Sequence, residues 1–202
     1  MGFELEDGEL QTTPRAAARL LKGKRVLALT MPGILDDLTG IEVIGMNADA
    51  VLIGGCDEGE EPGRVFSYLN LNRAFLELDA GAELYCLHKN RWWQTADGPK
   101  LDAGAFVAGL EFATGAEATV LGKPSHEYFA AALEAIDADA ELAWLVSDDV
   151  EGDIRGAQRH GMRTVLVRTG KFRPDELEDA AVLPDAIVSS IAQLPEWLEQ
   201  NL

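Results

Sequence analysis

The chain has 202 residues, 47% hydrophobic and 26% charged, the composition of an ordinary folded protein of one or two domains. Its 17 basic and 35 acidic side chains leave a formal charge of −18, which argues against nucleic acid or an anionic membrane as partner because their phosphates would be repelled. No apolar run nears the ~20 residues of a membrane span and the N-terminus lacks a signal-peptide pattern, so a cytoplasmic protein is expected.

Residues 1–10 are short and acidic. Thr12, Thr13 and Pro14 then offer a cap and a first-turn proline to a helix reaching about residue 21, where Lys22, Gly23 and Lys24 supply cations and a stop. Strands are expected over 25–30 and 49–54, with a loop, a short helix and a small strand near 41–44 between them. An acidic loop over 56–63 leads into one helix over 64–79 that carries Phe66, Leu69, Leu71, Phe75 and Leu78 roughly on one side. A strand over 83–88, a loop over 89–100 with Arg91, Trp92 and Trp93, and a helix over 103–114 complete a first α/β module.

The second module begins near Thr119, so the division expected is 1–116 and 117–202. It reads as helix 125–136, strand 143–146, helix 151–160, strand 164–167, a short helix near 176, strand 186–188 and helix 191–200. Cys56 and Cys86 lie in or beside apolar strand-like runs and read as buried free thiols, and no Cys/His spacing suggests zinc.

The chemistry concentrates in the stretch WLVSDDVEGDIRGAQRHGMRTVLVRTGK, residues 144–171. A continuous apolar run breaks into an acidic turn, a helix, Gly161 and a second apolar run, the pattern of a βαβ unit with parallel strands. Ligands of open α/β sheets sit at the carboxyl ends of such strands, where Asp148, Asp149 and Asp153 fall. Like charges ~4 Å apart repel by ~4 kcal/mol at an effective dielectric near 20, so a hard cation such as Mg2+, which takes oxygen ligands, would relieve the cluster. Acids of a helix cap and first turn account for the same residues without any metal. Upstream, Lys123 in LGKPSHEYF precedes a helix start at Pro124 and Ser125, which can bring its ammonium to the same end of the sheet.

A lysine, then a helix, then a strand ending in S-D-D-x-x-x-D resembles two motifs of the haloacid dehalogenase (HAD) superfamily of phosphohydrolases. Together with LHKNRWW, FVAGLEFATG and TVLVRTGKF, it resembles the NagD-like group, type IIA, over nearly the whole chain. The resemblance implies a partial Rossmann-like core in the C-terminal half, preceded by an α/β cap. It also implies an Mg2+-dependent phosphatase acting on small phosphorylated metabolites, with Asp148 as metal ligand and Asp149 and Asp153 completing or orienting the shell. Lys123 takes the phosphate contact, with Gly122 beside it as a substrate-binding residue. His88, Lys89 and Arg91 are candidates for reaching an anionic substrate from the cap, with a plain polar loop as the alternative. A homodimer through the cap is also allowed.

The family's nucleophile, an aspartate in a D-x-D-G-T/V word, cannot be placed in these residues, and Asp36 and Asp37, the nearest candidates, lack that setting. Covalent phosphoryl transfer needs such a group, so the chain as written is expected not to turn over by the family's mechanism. The structural counterpart is an unpaired edge on strand 143–146. A non-catalytic α/β binding or dimerisation module is the second reading. Trp92 and Trp93 read as packing residues, and His126 and His160 as surface helix residues.

Overall fold

The computed structural model describes residues 9–56, 61–95, 97–178 and 183–201, with Gln94 and Glu178 described by backbone alone. Residues 1–8 of the acidic start and 57–60 of the acidic loop lie outside this set. The chain forms two compact units, which divide between Gly122 and Lys123.

In chain order the first unit holds α1 (Thr13–Leu20), β1 (Arg25–Leu29), α2 (Pro32–Leu35), β2 (Glu42–Val43), β3 (Ala50–Ile53), α3 (Glu61–Val65) and α4 (Tyr68–Asp79). After them come β4 (Glu83–Cys86), β5 (Trp92–Thr95), β6 (Gly98–Leu101), α5 (Gly104–Thr114) and β7 (Thr119–Val120). Its main sheet is parallel, in the order β2-β1-β3-β4-β7. All four residues of β3 are fully buried because both faces of the sheet are covered, which is why this strand is an unbroken apolar run. Val51 and Ile53 face a core with α4 and α5, while Ala50 and Leu52 face Ala17, Leu21 and Leu121. Phe66 and Phe106 stack in the first of these cores, with centroids 4.3 Å apart. Cys86 is buried there and free, and burial pushes its thiol up to about 11.

Three expectations are corrected in this unit. The helix over 64–79 is two helices, because Ser67 leaves helical geometry to accept a bond from the Asn70 amide, and Asn70 Nδ2 satisfies the carbonyls of Arg64 and Val65. The loop over 89–100 contains a two-stranded antiparallel hairpin, β5–β6, whose turn ends in Gly98 at φ +113°. Thr119 and Val120 do not open the second module; as β7 they pair with Tyr85 and Cys86 of β4. The expected cap of α1 is present, Thr12 accepting from the Arg15 amide at 3.3 Å.

The second unit contains α6 (His126–Ala135), β8 (Trp144–Ser147), a π-type turn at Val150–Ile154 and α7 (Arg155–Arg159). Beyond them lie β9 (Arg163–Val167), α8 (Asp175–Glu178), β10 (Ala186–Val188) and α9 (Leu194–Asn201). Its sheet, β10-β9-β8, is parallel. Val150, Ile154 and Leu166 form a core on one face, and Val165, Val167 and Val188 with Trp144 and Trp197 form one on the other. Among the described residues β8 pairs only with β9. His126 and His160 stack on one another at 4.8 Å and His160 on Phe129 at 5.0 Å, so they are not independent surface side chains.

Candidate active site

The site is assembled at the carboxyl end of β8, where Ser147 leaves the sheet and the chain turns into the wide helical turn that precedes α7. Asp149 caps that turn, its Oδ1 accepting from the Gly152 amide at 2.9 Å. The amide of Ile154 bonds to the Asp149 carbonyl at 3.0 Å, one residue wider than an α-helical bond. Asp153 lies within this turn and is 8% exposed.

Lys123 stands just ahead of Ser125, which caps α6 by accepting from the Tyr128 amide at 3.3 Å; the Lys123–Pro124 peptide is cis. The Lys123 ammonium donates to Asp153 Oδ2 at 3.0 Å and lies 2.9 Å from Oδ1, which itself takes no directed hydrogen bond. The Ser147 hydroxyl donates to the same Oδ2 at 2.7 Å and accepts from the Asp149 amide at 3.2 Å. Burial works to lower the Lys123 pKa, but Asp153, with help from Asp149, outweighs it and holds the ammonium above its ordinary value. Lys123 is therefore a fixed, protonated group.

A second lysine, not singled out from the sequence, completes the arrangement. The loop after β9 carries Lys171, whose ammonium lies 2.5 Å from Asp149 Oδ2 and whose amide donates to Asp148 Oδ2 at 2.6 Å. Gly170 makes this approach possible: its φ is +65°, and a Cβ there would stand 2.0 Å from Asp148 Oδ2. Burial alone would raise the Asp149 pKa, yet Lys171 and the Gly152 amide hold it below the ordinary carboxylate range.

The repulsion that suggested a missing cation is thus largely answered by the protein. Asp153 faces Lys123 and Ser147, Asp149 faces Lys171, and no group of three His, Cys, Asp or Glu side chains among the described residues is placed to hold a metal. Of the three acids, Asp148 alone has a carboxylate oxygen, Oδ1, with neither a hydrogen bond nor a lysine against it among the described residues, and one carboxylate with waters and a phosphate is a normal Mg2+ environment.

The cap-side candidates belong to the first unit and have local partners. Lys89 is held 2.7 Å from Glu111, and His88 Nδ1 lies 3.6 Å from Asp102 Oδ2, while Arg91 is exposed. Gly122 is explained by packing, since a Cβ would stand 2.2 Å from the Leu87 carbonyl oxygen. Asp37 accepts from the Thr12 hydroxyl at 3.0 Å and pairs with Arg15 at 3.6 Å, a structural role. Trp92 is 58% exposed on β5, and the indole nitrogen of Trp93 is buried without a partner.

Comparison with known proteins matches the site region to a family. The HAD-hydrolase-like family model covers residues 120–194, which include every acid and lysine of the site. The phospholysine phosphohistidine inorganic pyrophosphate phosphatase of Rattus norvegicus is 38% identical over 207 residues, covering 100% of this chain and 73% of that protein. The human haloacid dehalogenase-like hydrolase domain-containing protein 2 is 36% identical over 202 residues, covering 99% and 75%. Among solved structures, the p-nitrophenyl phosphatase from Archaeoglobus fulgidus superposes with a TM-score of 0.85 at 22% identity, over 97% of this chain and 77% of that one. NagD from E. coli K-12 gives 0.82 at 24% identity, over 95% and 75%. The chain belongs to the HAD superfamily of phosphatases and hydrolases, subfamily IIA. Within the described residues no helix is long and apolar enough to cross a membrane.

Proposed function

We propose that this chain carries the phosphate- and metal-holding part of an Mg2+-dependent phosphohydrolase site for small phosphorylated compounds. The observation that carries the reading is the Lys123 ammonium, fixed by Asp153, which Ser147 also holds, on the rim where Asp148 follows β8. HAD phosphatases generally use Mg2+, and Asp148 Oδ1 is the atom that would hold it; bound there, the ion would neutralise charge on a phosphoryl oxygen. Lys123 donates to a second phosphoryl oxygen and remains protonated throughout, because Asp153 stabilises its charge. Asp149 and Lys171 orient the loop that carries Asp148. Phosphoamides and pyrophosphate, named for the rat relative, are the first substrates to test.

Covalent transfer also needs an acceptor, and no residue of this sequence stands in a D-x-D-G word. The chain is therefore expected to bind Mg2+ and orthophosphate without hydrolysing p-nitrophenyl phosphate. Calorimetry with Mg2+ and orthophosphate, alongside a p-nitrophenyl phosphate assay, tests this. Binding that disappears in Asp148→Ala and weakens in Lys123→Met supports the site; absence of both ions from the folded chain favours a non-catalytic α/β module instead. Turnover abolished by Asp148→Ala would show that the chain supplies its own acceptor.

A further inference from the structure

A cavity of about 550 Å³ lies in the first unit between α1 and the connection from α2 to β2, and shares no residue with the site beyond β8. One wall is α1, which contributes Arg15 and Arg19, with Lys22 in the turn that ends it. Steps of four and three residues keep these cations on one side of the helix. The other wall carries Asp36, Asp37 and Thr39. The walls are tied at one point, where Asp37 accepts from the Thr12 hydroxyl at 3.0 Å and meets Arg15 at 3.6 Å.

That tie leaves Arg19, Lys22 and Asp36, all exposed, without an ion-pair partner among the described residues. Two unpaired cations side by side are unexpected in a chain with 35 acids for 17 bases. The acids beyond β8 are answered by Lys123 and Lys171, whereas nothing on the described chain answers Arg19 and Lys22. We infer that the cavity binds a small phosphate monoester that also carries an amine. Arg19 and Lys22 hold the phosphate through charge-assisted bonds, Thr39 offers a hydroxyl donor, and Asp36 accepts from the ammonium. Charge selects this class. A phosphate dianion without an amine would meet Asp36 and the field of a chain at −18, and an amine without a phosphate would find its carboxylate beside cations. Only a ligand with both groups gains at both ends. No aromatic side chain lines the cavity among the described residues, so it offers no platform on which a nucleotide base could stack.

Titration calorimetry at low salt without Mg2+ tests this on the full chain, with O-phosphoethanolamine, orthophosphate and ethanolamine as probes. O-phosphoethanolamine should bind more tightly than either of the others, and more weakly as salt is raised. Arg19→Gln combined with Lys22→Gln should weaken it by about tenfold or more, with unchanged circular dichroism, since both positions are exposed. Asp36→Asn should act with opposite signs, weakening O-phosphoethanolamine and tightening orthophosphate. Asp148→Ala should leave O-phosphoethanolamine binding in place, which separates this cavity from the phosphate site of the second unit. Absence of O-phosphoethanolamine binding would overturn the inference. So would binding that is lost in Asp148→Ala, binding that survives the Arg19 and Lys22 changes, or an Asp36→Asn chain that holds O-phosphoethanolamine as tightly as before.

Discussion

The ammonium of Lys123 stands 2.9 Å from one oxygen of Asp153 and 3.0 Å from the other, and the Asp153 side chain is only 11% exposed. A buried acid in this position depends on its cation. Lys123→Met leaves the acid facing only the Ser147 hydroxyl and should cost about 1–3 kcal/mol of stability, less than a fully buried pair because the lysine side chain is 41% exposed. Asp153→Asn on the same background should recover much of that loss, and urea unfolding of the four-member cycle measures the coupling directly.

Acid titration should expose Asp149. Its folded-state pKa lies below the ordinary 3.8, so the stability it contributes is complete above that value and is lost as pH falls through the folded-state value. Lys123 behaves in the opposite sense. Its pKa is raised above 10.5, so its contribution is complete below 10.5 and is lost only as pH climbs through the higher folded-state value. Urea midpoints followed down to about pH 2 should fall less steeply in Asp149→Asn than in the unmodified chain.

Gly170→Ala tests the loop behind Asp148. The added Cβ would meet Asp148 Oδ2 at 2.0 Å from a residue at φ +65°, so the loop must move, at about 1–2 kcal/mol. The expected result is a lower melting temperature together with a weakened Mg2+-induced rise in it. A rise that stays unchanged would separate Asp148 from ion binding.

Ser67→Ala removes the oxygen that accepts from the Asn70 amide at the start of α4. A loss of about 1 kcal/mol is expected. Ser67→Asp should retain most of the stability in the same thermal melts, because Asp is as good a capping residue.

Much of the site was legible because its signals are local. An apolar run that stops at Ser147 and Asp148, and a lysine directly ahead of a capped helix, each name their place in the sheet from neighbouring residues alone. Lys171 was not legible as a counter-charge. It reaches Asp148 and Asp149 only because β8 and β9 run parallel with Ser147 opposite Leu166, which returns the loop after β9 to the loop after β8. A metal box inferred from three acids failed to include that lysine for the same reason. In the first unit, the Asp97–Gly98 pair is the local turn signal of hairpin β5–β6, but its strands are four residues each, too short for a strong alternation, and the segment reads as a loop. The break at Ser67 was hidden because the apolar side chains on either side of it continue one helical stripe.

Strand β8 meets a neighbour on one flank only among the described residues. The other flank is a template on which a further segment could lie, matched by backbone bonds to Trp144–Ser147. A segment laid there in the same direction would finish level with Asp148, so its final side chain would arrive at the rim that Lys123 and Asp153 already occupy.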